Sequence, residues 1–266
     1  MKKFGIALCA LTLGTVAASA ADLPARTYTK APPPPVVAAY DWSGFYIGID
    51  GGGGWSHKCW DITQNGTSVL NSPVAEGCHD PSGGTVGGQI GYRWQSAAWV
   101  FGVEAEGNWA NFRAANPSQF YVVPAGTFYN RTTIEAFGLF TGQVGYTWDK
   151  FLLYVKGGAA VTSDRYEGYL NAAFGRGAAG AVFDSATETR WGGVVGVGAE
   201  YALSPNWSIA LEYDHLFMGT SNPTLISTGT IATAGVVSRV DNIRQDVDIV
   251  TARINYKFGG PVVARY

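Results

Sequence analysis

Few residues in this chain have the types and spacing that chemistry requires. Cys59 and Cys78 are flanked by His57 and His79 in the orders H-x-C and C-H. Two thiols left in an exported chain normally pair, so a disulfide between Cys59 and Cys78 is expected. A Cys2His2 zinc site is the sharper alternative, but the spacing matches no strong zinc signature, and no metal is assigned. The remaining histidine, His215, has no serine two positions away on either side (Tyr213, Phe217). Its neighbour Asp214 faces the other side of a strand, so no Asp-His relay forms on one face. The glycine run 51–54 lacks the Lys-Ser/Thr ending and following helix of a phosphate loop. It reads instead as a strand with close backbone approach or sharp curvature. Asn65-Gly66-Thr67 and Asn130-Arg131-Thr132 match the glycosylation pattern only formally. Neither catalysis nor a cofactor is expected.

A larger ionisable set recurs at alternating positions: Asp50, Arg93, Glu104, Glu106, Lys156, Glu200, Glu212, Asp214, Arg253 and Lys257. What these groups do depends on the elements that carry them. Charged residues make up only 14% of the chain, against about 25% in an ordinary soluble domain, while it holds 36 Gly, 14 Tyr, 13 Phe and 9 Trp. That balance suits a surface facing lipid. The net charge of -2, with no Lys/Arg-rich run, offers no field for nucleic acid.

Lys2 and Lys3, the apolar run 4–16 and the small residues Ala18-Ser19-Ala20 read as a secretory signal, 1–20, cleaved near Ala20, with Cys9 removed along with it. A Pro-rich linker, 21–43, follows; its run 32–35 favours polyproline II and cannot join a central sheet. No later stretch has the 18 or so apolar residues of a spanning helix, so any membrane crossing must use strands. Eight alternating segments are predicted, at 44–55, 84–94, 98–109, 134–148, 151–162, 189–202, 206–217 and 246–258. Each is near the roughly 9–11 residues of a tilted membrane strand. Short connections (95–97, 149–150, 203–205) alternate with long ones (56–83, 110–133, 163–188, 218–245). An up-and-down barrel then gathers the short turns on a periplasmic rim and the long loops outside. The predicted fold is all-β: an eight-stranded antiparallel transmembrane β-barrel over 44–258, with a short C-terminal tail at 259–266.

Side chains alternate across a strand. Trp99, Phe101, Val103 and Ala105 therefore oppose Glu104, Glu106 and Asn108, and Val250, Ile254 and Tyr256 oppose Thr251, Arg253 and Lys257. The segment 134–148 is less tidy, because Phe137 and Leu139 fall on its polar set. Trp55, Trp94, Trp99, Trp109, Trp148, Trp191, Trp207, Phe217 and Phe258 sit at segment ends, as interfacial girdles do. A soluble lipocalin-like barrel would turn the apolar set inward; the sorted loops and aromatic ends weigh against it. Facing lipid, each Arg or Lys at the midplane would cost about 2–4 kcal/mol, so the ionisable set turns inward and must pair there. Eight strands leave an interior just wide enough for side chains, which favours a packed polar core over a pore.

The segments DWSGFYIGIDGGGGW, GGQIGYRW, GQVGYTWDK, FLLYVKGGAAV, WGGVVGVGAEYAL and INYKFGG, after the start ADLPAR, resemble the small major outer-membrane proteins of alphaproteobacteria. These group with the opacity-type proteins and share the OmpA-like barrel. The resemblance spans nearly the whole mature chain. It implies a structural, surface-exposed protein of the Gram-negative outer membrane that serves envelope integrity, with a porin-like conduit or a loop-mediated adhesin as alternatives. The expected partners are outer-membrane lipid, lipopolysaccharide and, during insertion, the barrel assembly machinery. Linker contact with peptidoglycan and the oligomeric state stay open. The ending departs from the family habit of closing on an aromatic residue of the last strand: Phe258 is followed by GGPVVARY, so Tyr256 and Phe258, or Tyr266, carry the assembly signal.

Overall fold

A computed structural model describes residues 40–122 and 126–259. The expected signal, the linker up to 39, and the tail from 260, including Tyr266, lie outside the described residues. Ten strands form: β1 (Gly44–Asn65), β2 (Ser68–His79), β3 (Ser82–Ser96), β4 (Trp99–Pro117), β5 (Phe128–Trp148), β6 (Phe151–Leu170), β7 (Val182–Ala202), β8 (Trp207–Ser221), β9 (Thr224–Ser227) and β10 (Val237–Lys257). Eight of them follow one another around a ring, β1-β3-β4-β5-β6-β7-β8-β10, each antiparallel to the next. β10 pairs back onto β1 from Tyr46↔Lys257 to Asn65↔Arg239, which closes the ring. Closure pairs each of the eight ring strands on both sides near the tight rim, the condition for a sheet to stand in lipid.

At one rim the connections are tight. Ala97 and Asp149 take positive φ (54° and 55°) in the β3–β4 and β5–β6 turns, the single left-handed residue that reverses a strand pair in so few steps. At the other end the structure corrects the expected loops, because most of 56–83, 110–133, 163–188 and 218–245 is strand. β1 runs on to Asn65, β4 to Pro117, β6 to Leu170, and β10 begins at Val237. Where β3 starts, β2 has already occupied the place beside β1. β9 likewise fills the gap between β7 and β10 beyond the end of β8. The ring thus continues well past the length a membrane needs. These extensions escape a periodicity reading because their outward face is polar, and only inward residues such as Trp60, Ile62, Tyr166 and Phe183 stay apolar and buried.

Within the first ten or so residues from the tight rim the outward face is apolar. Ile49, Val86, Val103, Val155 and Leu211 are all exposed, while the charged positions opposite them are buried. This is the reverse of a soluble barrel. Two aromatic rings bound the band, with Trp94, Trp99, Trp148, Trp207 and Phe258 near the tight rim and Trp55, Trp109, Trp191 and Phe217 at the far edge, all exposed. From Trp99 to Trp109 is ten residues, about 33 Å of strand, or about 25 Å along the axis at a tilt near 40°. That height equals the apolar band of a membrane barrel.

Candidate functional site

The interior of the barrel is the chemically dense part of the molecule, and it is filled in layers. At the tight rim Trp42 folds across the mouth; its backbone N donates to Gln95 Oε1 (2.8 Å) and its indole Nε1 donates to Thr147 Oγ1 (2.8 Å). Trp42 packs on Val100, Leu152, Tyr154 and Ala202. The cavity left beneath it is about 10 Å³, about the space one water needs.

Above it lies the charge layer. Arg93 Nη1 pairs with Glu200 Oε2 at 2.8 Å. Arg253 is the hub: it reaches Glu104 at 2.9 Å, Glu212 at 2.5 Å, and Glu106. Lys156 contacts Glu212 and lies 3.2 Å from Asp214 and 3.5 Å from Glu106. All of these side chains are at most a few per cent exposed. Neutral donors complete the layer. Tyr46 OH donates to Glu104 (2.7 Å), Tyr154 OH to Glu212 (2.6 Å), and Asn255 Nδ2 to Glu200 (3.1 Å). The two tyrosine rings need glycines across the sheet. A Cβ on Gly91 would stand 2.5 Å from the Tyr46 ring, and one on Gly198 would stand 2.3 Å from that of Tyr154.

Of the ten ionisable positions singled out in the sequence, eight meet in this network. Asp50 is buried but accepts from the Asn108 amide rather than meeting a cation. Lys257 lies elsewhere, at the rim, where its Nζ donates to the Asp41 carbonyl and stands 4.7 Å from the Tyr40 ring. Its stem comes from the last strand residue, too close to the mouth to reach the layer above.

Next comes an apolar layer of Phe112, Ile134, Phe137, Leu139, Ala160, Val194, Leu216, Met218, Val247 and Ile249. Phe137 and Leu139 therefore do face inward with the polar set, which is why 134–148 read untidily. Sequence reasoning also missed two further ion clusters beyond the far aromatic ring. Lys58 Nζ donates to Asp164 Oδ1 at 2.6 Å, both fully buried, and burial pulls the Lys58 ammonium down to about 8 against the attraction of that carboxylate. Higher still, Arg239 contacts Glu76 (3.1 Å), Asp184 (3.1 Å) and Asp241 (3.4 Å). Burial pushes the Asp241 carboxyl up to about 7, opposed by Arg239 and assisted by Glu76 and Asp184. Trp60, Tyr166, Leu225 and Ile243 form one further apolar cluster, and Phe128, Leu170 and Phe183 another.

Other candidate chemistry resolves as follows. Cys59 and Cys78 are joined as a disulfide across β1 and β2. His79 turns inward, away from the exposed Cys78, with its Nε2 2.9 Å from Thr132 Oγ1, and burial holds its pKa down to about 4. The carboxylates of Glu104, Glu106 and Glu212 converge, but Arg253 and Lys156 already occupy the position a cation would take. His215 finds Asp248, on the neighbouring strand, instead of Asp214. Its Nδ1 lies 2.7 Å from Asp248 Oδ1, which also accepts from Tyr213 OH, and its ring packs on Phe217. This outward pair sits in the far aromatic ring.

Comparison with known proteins places this geometry. Residues 6–258 match the family described as "Outer membrane protein beta-barrel domain". The 31 kDa outer-membrane immunogenic protein of Brucella melitensis is 29% identical over 242 residues, covering 86% of this chain and 89% of that protein. Outer membrane protein P1 of Coxiella burnetii is 25% identical, covering 84% and 89%. Among solved structures, the outer membrane protein OprG of Pseudomonas aeruginosa superposes with a TM-score of 0.50 at 12% identity, covering 84% of this chain and 99% of that one.

Proposed function

The chain belongs to the outer membrane protein β-barrel domain family, and from that premise we propose that it is a non-conducting barrel that anchors a rigid platform on the outer surface of the Gram-negative cell. The observation that carries this reading is the layered interior. Charge, apolar, charge and apolar clusters follow one another along the described interior, with Phe112, Phe137, Leu139, Leu216 and Ile249 packed between the ion clusters of Arg253 and Lys58. A small pore needs water along its length, and between the two ion clusters the buried Phe112, Phe137 and Leu139 fill the interior, beside Asn108 and Thr162, which pair with Phe137 across the strands.

The platform reading rests on strand length. About eleven residues of β1 span the apolar band, and the remainder to Asn65 stands beyond it. That outer half has its own buried ion clusters and apolar layers, so it is a folded extension and not a set of slack loops. Its tips, with Val69, Phe174, Ile231 and Val236 exposed, face outward. The name of the Brucella relative, an immunogenic protein, fits display of such tips. A loop-mediated contact with another surface is the second reading, favoured by those same exposed apolar residues. A role without catalysis, cleavage after Ala20, contact with lipopolysaccharide, handling by the barrel assembly machinery, and reach of the linker toward peptidoglycan all belong to the proposal.

Single-channel recording of the refolded chain in a planar lipid bilayer tests it. Silence is expected. Reproducible steps whose size changes in Glu104→Gln or Arg93→Met would overturn the closed barrel and support a narrow porin.

A further inference from the structure

Just beyond the far aromatic ring, on the outward face of β1, Trp55, His57 and Cys59 follow one another at alternate positions. Cys78 on β2 is the cross-strand partner of Cys59. The two sulfurs differ in surroundings, since Cys78 is exposed and Cys59 is half-buried. His57 Nε2 lies 3.4 Å from Cys59 Sγ, and His57 Nδ1 lies 2.6 Å from Asp80 Oδ1. A protonated imidazole in this position has both N–H groups aimed at acceptors, the carboxylate on one side and the sulfur on the other. On β10, Arg244 stands opposite Cys59 and Asp246 opposite His57 in the strand register.

From this asymmetry we propose that the Cys59–Cys78 disulfide is a surface thiol-exchange site, at which a thiolate from the medium attacks Cys78 Sγ and Cys59 departs as the thiolate. The new bond joins the incoming sulfur to Cys78. The bond that breaks is the Cys59–Cys78 disulfide, and its electron pair goes to Cys59 Sγ, where His57 donates a hydrogen bond from Nε2–H while Asp80 holds Nδ1–H. No net oxidation or reduction is required, because one disulfide replaces another. The sulfur whose thiolate is better stabilised leaves faster, and a neighbouring imidazolium is the usual source of that stabilisation.

The hairpin does not depend on the bond to keep its shape. Lys58↔His79 and Trp60↔Gly77 stay paired on either side. Glu76 beside them is anchored by Arg239 and by Ser118 Oγ (2.6 Å). Cys59 therefore remains beside the mixed disulfide and can expel the captured thiol by the reverse attack, which makes the site reversible.

The test uses the full folded chain in detergent micelles with reduced glutathione as the probe, quenched with N-ethylmaleimide under acid and mapped by mass spectrometry. Glutathione is expected on Cys78 and maleimide on Cys59. In His57→Gln and Asp80→Asn the exchange is expected to slow by about three- to fivefold, a modest factor because His57 and Asp80 stand largely in water. Glutathione on Cys59 in equal or greater amount overturns the proposal. So does a folded chain that stays unmodified while the unfolded chain reacts, or a rate unchanged in both variants.

Discussion

Arg253 is the point at which the interior can be tested most directly. Replacing it with Met keeps much of the stem's volume and removes the cation that contacts Glu104, Glu106 and Glu212 most closely apart from the Lys156–Glu212 contact. Breaking a buried pair by deleting one partner costs about 3–5 kcal/mol, since the surviving charges are left without compensation. Lys156 lies 3.8 Å from Glu104 and 3.5 Å from Glu106, and also contacts Glu212. It can take up part of the loss, so the expected cost is near the lower limit, about 3 kcal/mol. With an unfolding slope of about 2–3 kcal/mol per molar urea, the midpoint of the refolded barrel in micelles falls by about 1 M or more. Adding Glu104→Gln and Glu106→Gln to Arg253→Met removes two of the stranded charges and is expected to return most of that shift. A midpoint within the scatter of the parent for Arg253→Met alone would refute the reasoning, because the charge layer would then not be holding the interior.

Two other perturbations address the layers beyond it. Phe112→Ala or Leu139→Ala empties part of the middle apolar layer, and the expected loss is about 3–5 kcal/mol for the first and 2–5 for the second, read by urea unfolding; bilayer recordings stay silent, because the ion and apolar layers on either side remain closed. Asp241→Asn tests the outermost charge cluster through pH. The Asp241 carboxyl is raised from 3.8 to about 7 in the folded chain, so its contribution to stability is fully present below about 4 and is lost as pH rises through 7. Asn does not titrate, and the parent should therefore lose stability relative to the variant by about 1.4 kcal/mol per pH unit between those limits. Equal midpoints at pH 4 and a more stable variant at pH 8 are expected; parallel pH profiles would remove the buried acid from the account.

The layered interior also shows why a narrow barrel tolerates so many charges. Three cations and six carboxylates share the membrane-spanning half. They persist there because the alternative, the same side chains turned outward, meets hydrocarbon. The network does not need to be more stable than an apolar core to be retained; it needs only to be better than lipid exposure.

Period-two alternation and the sorting of short and long connections were enough to establish strands, their number in the membrane ring and the outward apolar face. Those features are local, because a strand's two faces are written in successive residues. Trp55, Trp99, Trp109 and Phe258 read as the band's edges for the same reason, that lipid tests every outward side chain independently, and all four are exposed. What happens inside is a property of strands far apart in sequence. Arg253 meets Glu104 across 149 residues, and Arg239 meets Glu76 across 163. No spacing rule ties such positions, so only closure of the ring selected the partners, left Lys257 at the rim and gave Asp50 an amide. The outer extension was hidden by a further physical fact. Beyond the aromatic ring the outward face meets water, polar residues return to both faces, and the alternation that marks a membrane strand disappears although the strand itself continues.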